Sequence, residues 1–349
     1  MVYFFAEKLG ILVNKLYFCG MKMYPMLFEE DLHTLVWGWE RWEVSAVPSS
    51  VSVVANGEWK GKELVAVINE MPEEVLGKAV NERYGGQLPL LVKFIDAKRD
   101  RSIQVHPNDE MAMRVHGKMG KSEMWYIIKA EPGAHLYAGF KTEITPDEYQ
   151  RRIEDGTITD VLACHTVKAG DVVYLPAGRV HAICGGILLA EVQQSSDVTY
   201  RIFDYNRPGM DGKPRELHTE LAKEAIDYHV EDHYRTEYMD ASDRAVQIIE
   251  SPYFGVRVME ISGMFHRDLR KYDSFVISMC IEGDCEIRVR STGESVVLRE
   301  GSSTLIPAAI ADYDVVPLNG RSRLLDAFID NRSDGIGRRV TRFLHQRWK

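Results

Sequence analysis

From Tyr24 onward the chain is written in short apolar runs interrupted by polar positions and stopped by Gly, Pro or Asn. Val51-Ser-Val-Val54 before Asn56-Gly57, Leu91-Val-Lys-Phe-Ile95 and Glu286-Ile-Arg-Val-Arg290 are such runs. Their length and turn spacing favour an all-β sandwich or barrel over alternating βαβ units. Helical periodicity is confined to islands. Lys62 to Val80 places Leu64, Val65, Val67 and Ile68 at helical spacings before a break at Met71-Pro72. Thr145-Pro146-Asp147-Glu148 is a capping box with Pro at the first helical position, opening a helix through Tyr149-Gln-Arg-Arg-Ile153. A third island, Glu216 to about Asp232, follows the Arg207-Pro208-Gly209 turn and predicts a helical bridge between two β units.

Those two units are visible as an internal repeat. Gly170-Asp-Val-Val-Tyr-Leu-Pro176-Ala-Gly178-Arg-Val-His181 has its counterpart in Gly301-Ser-Ser-Thr-Leu-Ile-Pro307-Ala-Ala309-Ile-Ala-Asp312, with Asp in place of the final His. Upstream, Glu123 stands ten residues before Gly133 and Asp273 ten before Gly283, so the copies stay aligned across another strand. Gly133 to Gly170 is 37 residues and Gly283 to Gly301 is 18, so the first copy holds a 19-residue insertion that contains the Thr145 helix. The expected divisions are an N-terminal extension over 1–22, a first β unit over 23–207 with its helical insertion near 145–165, a bridge over 208–235, a second β unit over 236–330, and a tail over 331–349.

A length of 349 residues suits two modest cores, and 45% hydrophobic with 27% charged residues is the mix of a globular protein. The 43 Lys+Arg against 52 Asp+Glu give a net charge of −9, which argues against nucleic acid or an anionic membrane as the main partner. An anionic ligand must therefore meet a local positive pocket. Cys19, Cys164, Cys184, Cys280 and Cys285 are scattered and include no CxxC pair, so the reducing cytoplasm is the expected compartment. No run approaches the ~18 apolar residues that span a bilayer.

The chemistry concentrates on two strands. In Ser102-Ile-Gln-Val-His106, alternation puts Ser102, Gln104 and His106 on one face and Ile103 and Val105 on the other. Between Leu189 and Arg201, Glu191, Gln193, Ser195, Asp197, Thr199 and Arg201 share one parity, which makes a long polar face if the chain stays extended through Ser195-Ser196. Such a face is costly to bury unless a ligand, metal or water satisfies it. Gln104, His106, Glu123 and His181 together offer an amide oxygen, two imidazoles and a carboxylate, a donor set suited to zinc or another divalent first-row ion.

Four motifs in order then resemble a known family. Ser102-Ile-Gln-Val-His-Pro-Asn-Asp109, Gly120-Lys-Ser-Glu-Met-Trp-Tyr126, Pro176-Ala-Gly-Arg-Val-His-Ala-Ile183 and Glu191-Val-Gln-Gln-Ser-Ser-Asp-Val-Thr-Tyr-Arg201 are similar to those of the type I mannose-6-phosphate isomerases (phosphomannose isomerases), in their short bacterial form. The resemblance runs from about Tyr24 to Asp330 and implies a mainly β chain of two tandem cupin (jelly-roll) barrels with a few helical insertions. It implies one Zn²⁺ per chain on Gln104, His106, Glu123 and His181, and a catalytic arginine at Arg201. It also implies phosphate contacts from Ser102 and Lys121, and acid/base carboxylates at Glu191 and Asp197. The activity implied is interconversion of mannose 6-phosphate and fructose 6-phosphate through an enediol, with a small sugar phosphate as the partner. The proton shuttle stays open among Glu191, Asp197 and Lys121.

Two other readings share the barrel. A non-catalytic sugar-binding cupin has no need of Arg201 and Lys121, and a metal-dependent dioxygenase usually presents two His and one carboxylate without a ligand such as Gln104. In the second copy only His266, Asp273 and Asp312 could ligate, at a different spacing, so that copy is expected to be structural. His229 and His233 read as one face of a charged helix, Cys280 and Cys285 as thiols flanking a hairpin turn, and Trp37, Trp39, Trp42 and Trp125 as core residues more than sugar platforms.

Overall fold

The computed structural model describes residues 23–310 and 312–331, so the expected N-terminal extension and nearly all of the tail lie outside it. The chain is mainly β, with four principal antiparallel sheets arranged as two pairs. In the first pair, a seven-stranded sheet runs in the order Leu32–Leu35, Gly38–Val44, Leu90–Ala97, Ile187–Gln194, Glu123–Ala130, Val172–Leu175, Arg235–Thr236. It faces a five-stranded sheet ordered Tyr200–Phe203, Ile103–Val105, His181–Ile183, His135–Phe140, Leu162–Thr166. The second pair is drawn from residues 244–328, with five strands in one sheet and four in the other. Each sheet has two ends, so among the described residues the expected jelly-roll barrels take the form of two-layered pairs of sheets, and no closed barrel is found.

The central strands of the seven-stranded sheet are apolar on both faces because both faces are covered. Leu90, Val92, Phe94, Met124, Tyr126, Ala190 and Val192 belong to a core shared with the second sheet pair. The alternate residues Ile95, Trp125, Ile127 and Leu189 fill the space inside the first pair. On the five-stranded sheet the same alternation sends Ile103, Val105, Tyr200 and Ile202 outward to a third core, which includes Tyr149 and Ala222 from the helical segments. Gln104 and Arg201 are thereby left on the inner face.

The helical islands fall into short pieces. Leu64–Glu70, Pro72–Leu76 and Lys78–Tyr84 replace the first island, broken by Pro72 and by Gly77 at φ 90. A Cβ on Gly77 would lie 2.3 Å from the Asp273 carbonyl oxygen. The Asp273 carboxylate accepts from the amides of Lys78 and Ala79, capping the third helix, so the residue aligned with Glu123 serves the helix layer. The second island is a helix over Pro146–Glu154, with Thr145 Oγ1 accepting from the Glu148 amide. The third contains only Thr219–Ala225 as α-helix, and His229 and His233 are not on it. The bridge is shorter than its periodicity predicts because Asp227 is drawn back to Gly178 and Arg235–Thr236 joins the seven-stranded sheet.

The helices and the first described residues pack on the second sheet pair. Met26 exchanges backbone bonds with Leu305, and Val75 and Glu74 accept from Ala308 and Ala309. The core therefore crosses the boundary drawn near residue 207. Inside the second pair, Arg267 from one sheet meets Asp326 from the other at 2.7 Å, and Ser278 Oγ donates to Asp326 at 2.8 Å. Both charged residues are buried. Removing one partner of such a pair leaves an uncompensated charge, so Asp326→Ala is expected to cost about 3–5 kcal/mol in urea unfolding, whereas the double change Arg267→Met with Asp326→Leu costs much less.

Candidate metal centre and active site

The inner faces of the first sheet pair bring the candidate residues together at one end. Arg201 stands directly opposite Gln104 on the neighbouring strand, and Gln104 directly opposite His181 on the next. Directly paired residues of antiparallel strands project to the same side, so these three side chains share a face in a line across three strands. Glu123 comes from the opposing sheet, and His106 leaves its strand at the turn into Pro107. His106, Glu123 and His181 are buried, and one ligand atom from each lies within 4.8 Å of the others.

The hydrogen bonding prepares both imidazoles in one tautomer. His106 Nδ1 donates to the Val198 carbonyl at 2.9 Å and His181 Nδ1 to the Arg179 carbonyl at 2.8 Å. Each Nε2 lone pair is thereby turned over to the cluster, the arrangement found where histidine binds a metal. His106 Nε2 lies 3.3 Å from Glu123 Oε2, and His181 Nε2 lies 3.3 Å from Oε1. Neither Glu123 oxygen has a hydrogen-bond partner. Lys121 Nζ sits 2.9 Å from both Glu123 Oε2 and His106 Nε2, an ion pair to the carboxylate without hydrogen-bond alignment. Gln104 Nε2 is 3.2 Å from His181 Nε2.

Burial, and after it the Lys121 charge, pushes the His106 imidazole down to about 3, and burial lowers His181 too. Burial would raise Glu123, but the adjacent Lys121 ammonium, the largest of the influences opposing burial, holds the carboxyl well below its ordinary range. Two neutral imidazoles and a buried carboxylate with unused lone pairs form a donor set that fits a divalent cation, with the Gln104 amide beside them. Among the described residues this is the one such grouping. In the second copy, half-buried Asp312 stands near exposed His266 at 3.7 Å, and Asp273 is engaged in its helix cap.

Not all expected residues converge. Glu191 is on the inner face, directly opposite Trp125 and Lys93, with Oε2 hydrogen-bonded and Oε1 beside a cation but without a hydrogen-bond partner. Trp125 Nε1 donates to Oε2 at 2.9 Å, and Lys93 Nζ is 3.3 Å from Oε1. Asp197 is exposed, paired with Lys118 at 2.6 Å, and makes no contact with the His/Glu cluster. The extended polar face therefore ends at Gln194. Gln193 Nε2 donates to the carbonyls of Gln194 and Ser196, and Ser196 Oγ to that of Met119, so the chain turns there to cross between sheets. Ser102 is buried just ahead of the Gln104 strand, and half-buried Arg201 donates from Nη1 to the Glu216 carbonyl, its Nε unpartnered. Trp37 and Trp125 are core residues.

Sequence reasoning missed a row of buried charge beside Glu191. Lys93 also lies 3.4 Å from Glu40 Oε2, and Glu40 accepts from Arg101 at 2.8 Å and from Trp42 Nε1 at 3.0 Å. The signal was available, since Lys93 sits at the centre of the apolar run Leu91–Ile95. A cleft of about 910 Å³ touches His116, Lys118 and Asp197 but none of Gln104, His106, Glu123 or His181. The donor chemistry, not cavity size, locates the centre.

Comparison with known proteins bears on the family. Residues 37–144 match the family described as phosphomannose isomerase type I, catalytic domain, and residues 245–325 match the mannose-6-phosphate isomerase cupin domain. The Bacillus subtilis mannose-6-phosphate isomerase ManA is 35% identical over 278 residues, covering 78% of this chain and 85% of that protein. The chain belongs to the type I mannose-6-phosphate isomerase family. A Streptococcus mutans mannose-6-phosphate isomerase is 30% identical over 307 residues, covering 83% of this chain and 94% of that one. The crystal structure of a Bacillus subtilis mannose 6-phosphate isomerase superposes with a TM-score of 0.78 at 30% identity, over 87% of this chain and 99% of its own. A Salmonella typhimurium phosphomannose isomerase variant, at 15% identity and a TM-score of 0.70, shares the fold. The catalytic-domain match includes Ser102, Gln104, His106, Lys121 and Glu123.

The buried row has a consequence in acid. Burial would raise Glu40, but Lys93 and Arg101 bring it down to about 2 from 4.5. A depressed carboxyl stabilises the fold above its unfolded pKa, and that contribution fades as pH falls through the folded value. Glu40→Gln is expected to lose about 3 kcal/mol at neutral pH by leaving Lys93 and Arg101 undercompensated. In urea titrations across pH the deficit should close between 4.5 and about 2.

Proposed function

We propose that this member of the mannose-6-phosphate isomerase family interconverts mannose 6-phosphate and fructose 6-phosphate through an enediol, with one zinc ion held by Gln104, His106, Glu123 and His181, within tandem cupin-type β units in the cytoplasm. The observation that carries the reading is the line Arg201–Gln104–His181 facing a buried Glu123 with unsatisfied oxygens. When bound, the ion would supply positive charge beside the sugar oxygens, the Lewis-acid help that a weak carbon acid requires.

The chain's own residues do the rest. Moving a proton between C1 and C2 develops negative charge on the adjoining oxygen, and Arg201 supplies a fixed cation, with an uncommitted Nε, to stabilise it. Ser102 and Lys121 are the groups for the phosphate, whose binding energy orients the reacting end. Of the three shuttle candidates, Asp197 is committed to Lys118 outside the cluster, and Glu191 to Trp125 and Lys93. Lys121 touches the cluster at two atoms and is our choice to carry the proton. A bare sugar-binding module has no use for these two cations.

Arg201→Ala should lower kcat by ~10²–10³-fold with a small change in KM, as expected for lost transition-state stabilisation, in an assay coupled to fructose 6-phosphate. Lys121→Ala separates two roles: lost phosphate holding raises KM alone, and lost proton transfer collapses kcat, which is the expected result. Chelation and dialysis should abolish turnover and Zn²⁺ should restore it; an apo protein as active as the holo form would refute the zinc assignment.

A further inference from the structure

Lys121 lies on a segment with no regular structure of its own, between the helix Asp109–His116 and the strand beginning at Glu123. Its long side chain could point many ways, yet the backbone on both sides of it is tied down. Gly120 N donates to Asp109 Oδ1 at 2.8 Å, Lys121 N to the Pro107 carbonyl at 3.1 Å, and Ser122 N to Gln194 Oε1 at 2.8 Å. Gln194 closes the loop, because its own amide bonds the Ser122 carbonyl at 3.0 Å while its Nε2 donates to the same Asp109 Oδ1 at 3.0 Å. Gln194 is buried, so these bonds do not compete with bulk water.

The fit is also steric. A Cβ on Gly120 would stand 2.5 Å from the Asp109 amide nitrogen, so only glycine lets the two segments approach this closely. The segments held together are the turn after His106 and the turn before Glu123, with the end of the Glu191 strand behind them. The clasp thus sets the separation of the three residues that meet at Lys121 Nζ.

We propose that Asp109 and Gln194 are positioning residues for the isomerase, holding the Lys121 ammonium against His106 and Glu123 through the backbone of residues 120–122. The proposal rests on the reading that Lys121 acts in the reaction. Neither residue touches the His/Glu cluster, so their effect passes through Lys121. Asp109 also opens a helix, where a carboxylate favours the N-terminal amides, and an asparagine there separates charge from acceptor geometry because its oxygen can still receive both bonds.

The test compares wild type, Asp109→Ala, Asp109→Asn and Gln194→Met as zinc-loaded enzymes, reading kcat, KM, bound zinc per chain and melting temperature. Displacing a catalytic group slightly costs turnover more than binding, so Asp109→Ala should lose ~10- to 100-fold in kcat with KM within about threefold. Zinc content should stay at the wild-type level, and Asp109→Asn should recover kcat to within about threefold of wild type. Equal kcat in folded Asp109→Ala and wild type overturns the clasp, as does an Asp109→Asn defect as deep as the alanine one, or loss of zinc from the alanine variant. Should Asp109→Ala fail to fold, Gln194→Met decides, a kcat loss at constant KM supporting the proposal and wild-type kcat overturning it. Absence of turnover in wild type itself overturns the isomerase reading and the clasp with it, whereas normal wild-type turnover with unaffected variants overturns the clasp alone.

Discussion

Glu123 carries a carboxylate with no exposure to solvent and no hydrogen bond to either oxygen, in a space that two imidazoles, an amide and one ammonium also enter. A buried anion of this kind is tolerable only if positive charge stands beside it. Lys121 provides part of that charge at 2.9 Å, and two oxygens remain whose lone pairs no protein donor uses. The surrounding architecture keeps this centre short of cationic partners. His106 and His181 spend their Nδ1 protons on backbone carbonyls and are neutral at physiological pH, so they add ligands and no charge.

The second sheet pair shows what the same layering does without such a demand. There the interior polar groups cancel: Arg267 meets Asp326, and Ser278 takes the other carboxylate oxygen. The residues that align with Glu123 and His181 serve elsewhere, Asp273 in a helix cap and half-buried Asp312 beside His266. One pair thus gathers a donor set suited to a cation, and in the other the buried Arg267 and Asp326 pair with each other. The two share a core through the outer face of the seven-stranded sheet and the helices over Leu64–Tyr84, so the second pair packs against the strands that carry Glu123, Glu191 and Lys93.

Charge is distributed along that sheet in graded fashion. Next to the unsatisfied Glu123 lies Glu191, bound by Trp125 and Lys93, and beyond it Glu40, bound by Lys93, Arg101 and Trp42. Burial would disfavour each of these ions alone; in alternating sign they support one another, and Lys93, though buried, is raised by Glu40 and Glu191. The fixed row leaves the reactive end of the site with Lys121 and Arg201 as its cations.

Much of this was legible in residue order. Alternation in Ser102–His106 fixes which side chains share a face, the Gly170–His181 repeat predicts two β units, and Thr145-Pro146 predicts its helix; all depend on contacts a few residues apart, which periodicity records directly. The donor set itself follows from residue chemistry and order along the chain. What periodicity could not reveal is where a strand stops: the polar ladder predicted through Arg201 breaks at Ser195–Ser196 because Gln193 bonds the turn's carbonyls while Ser195 and Ser196 donate to the Pro89 and Met119 carbonyls from distant parts of the chain. The same holds for the shortened bridge helix, the open sheet edges, the Glu40–Lys93–Glu191 row and the clasp on Lys121. Each is decided by partners many residues apart in sequence, whose meeting is an outcome of sheet packing and cannot be read from local pattern.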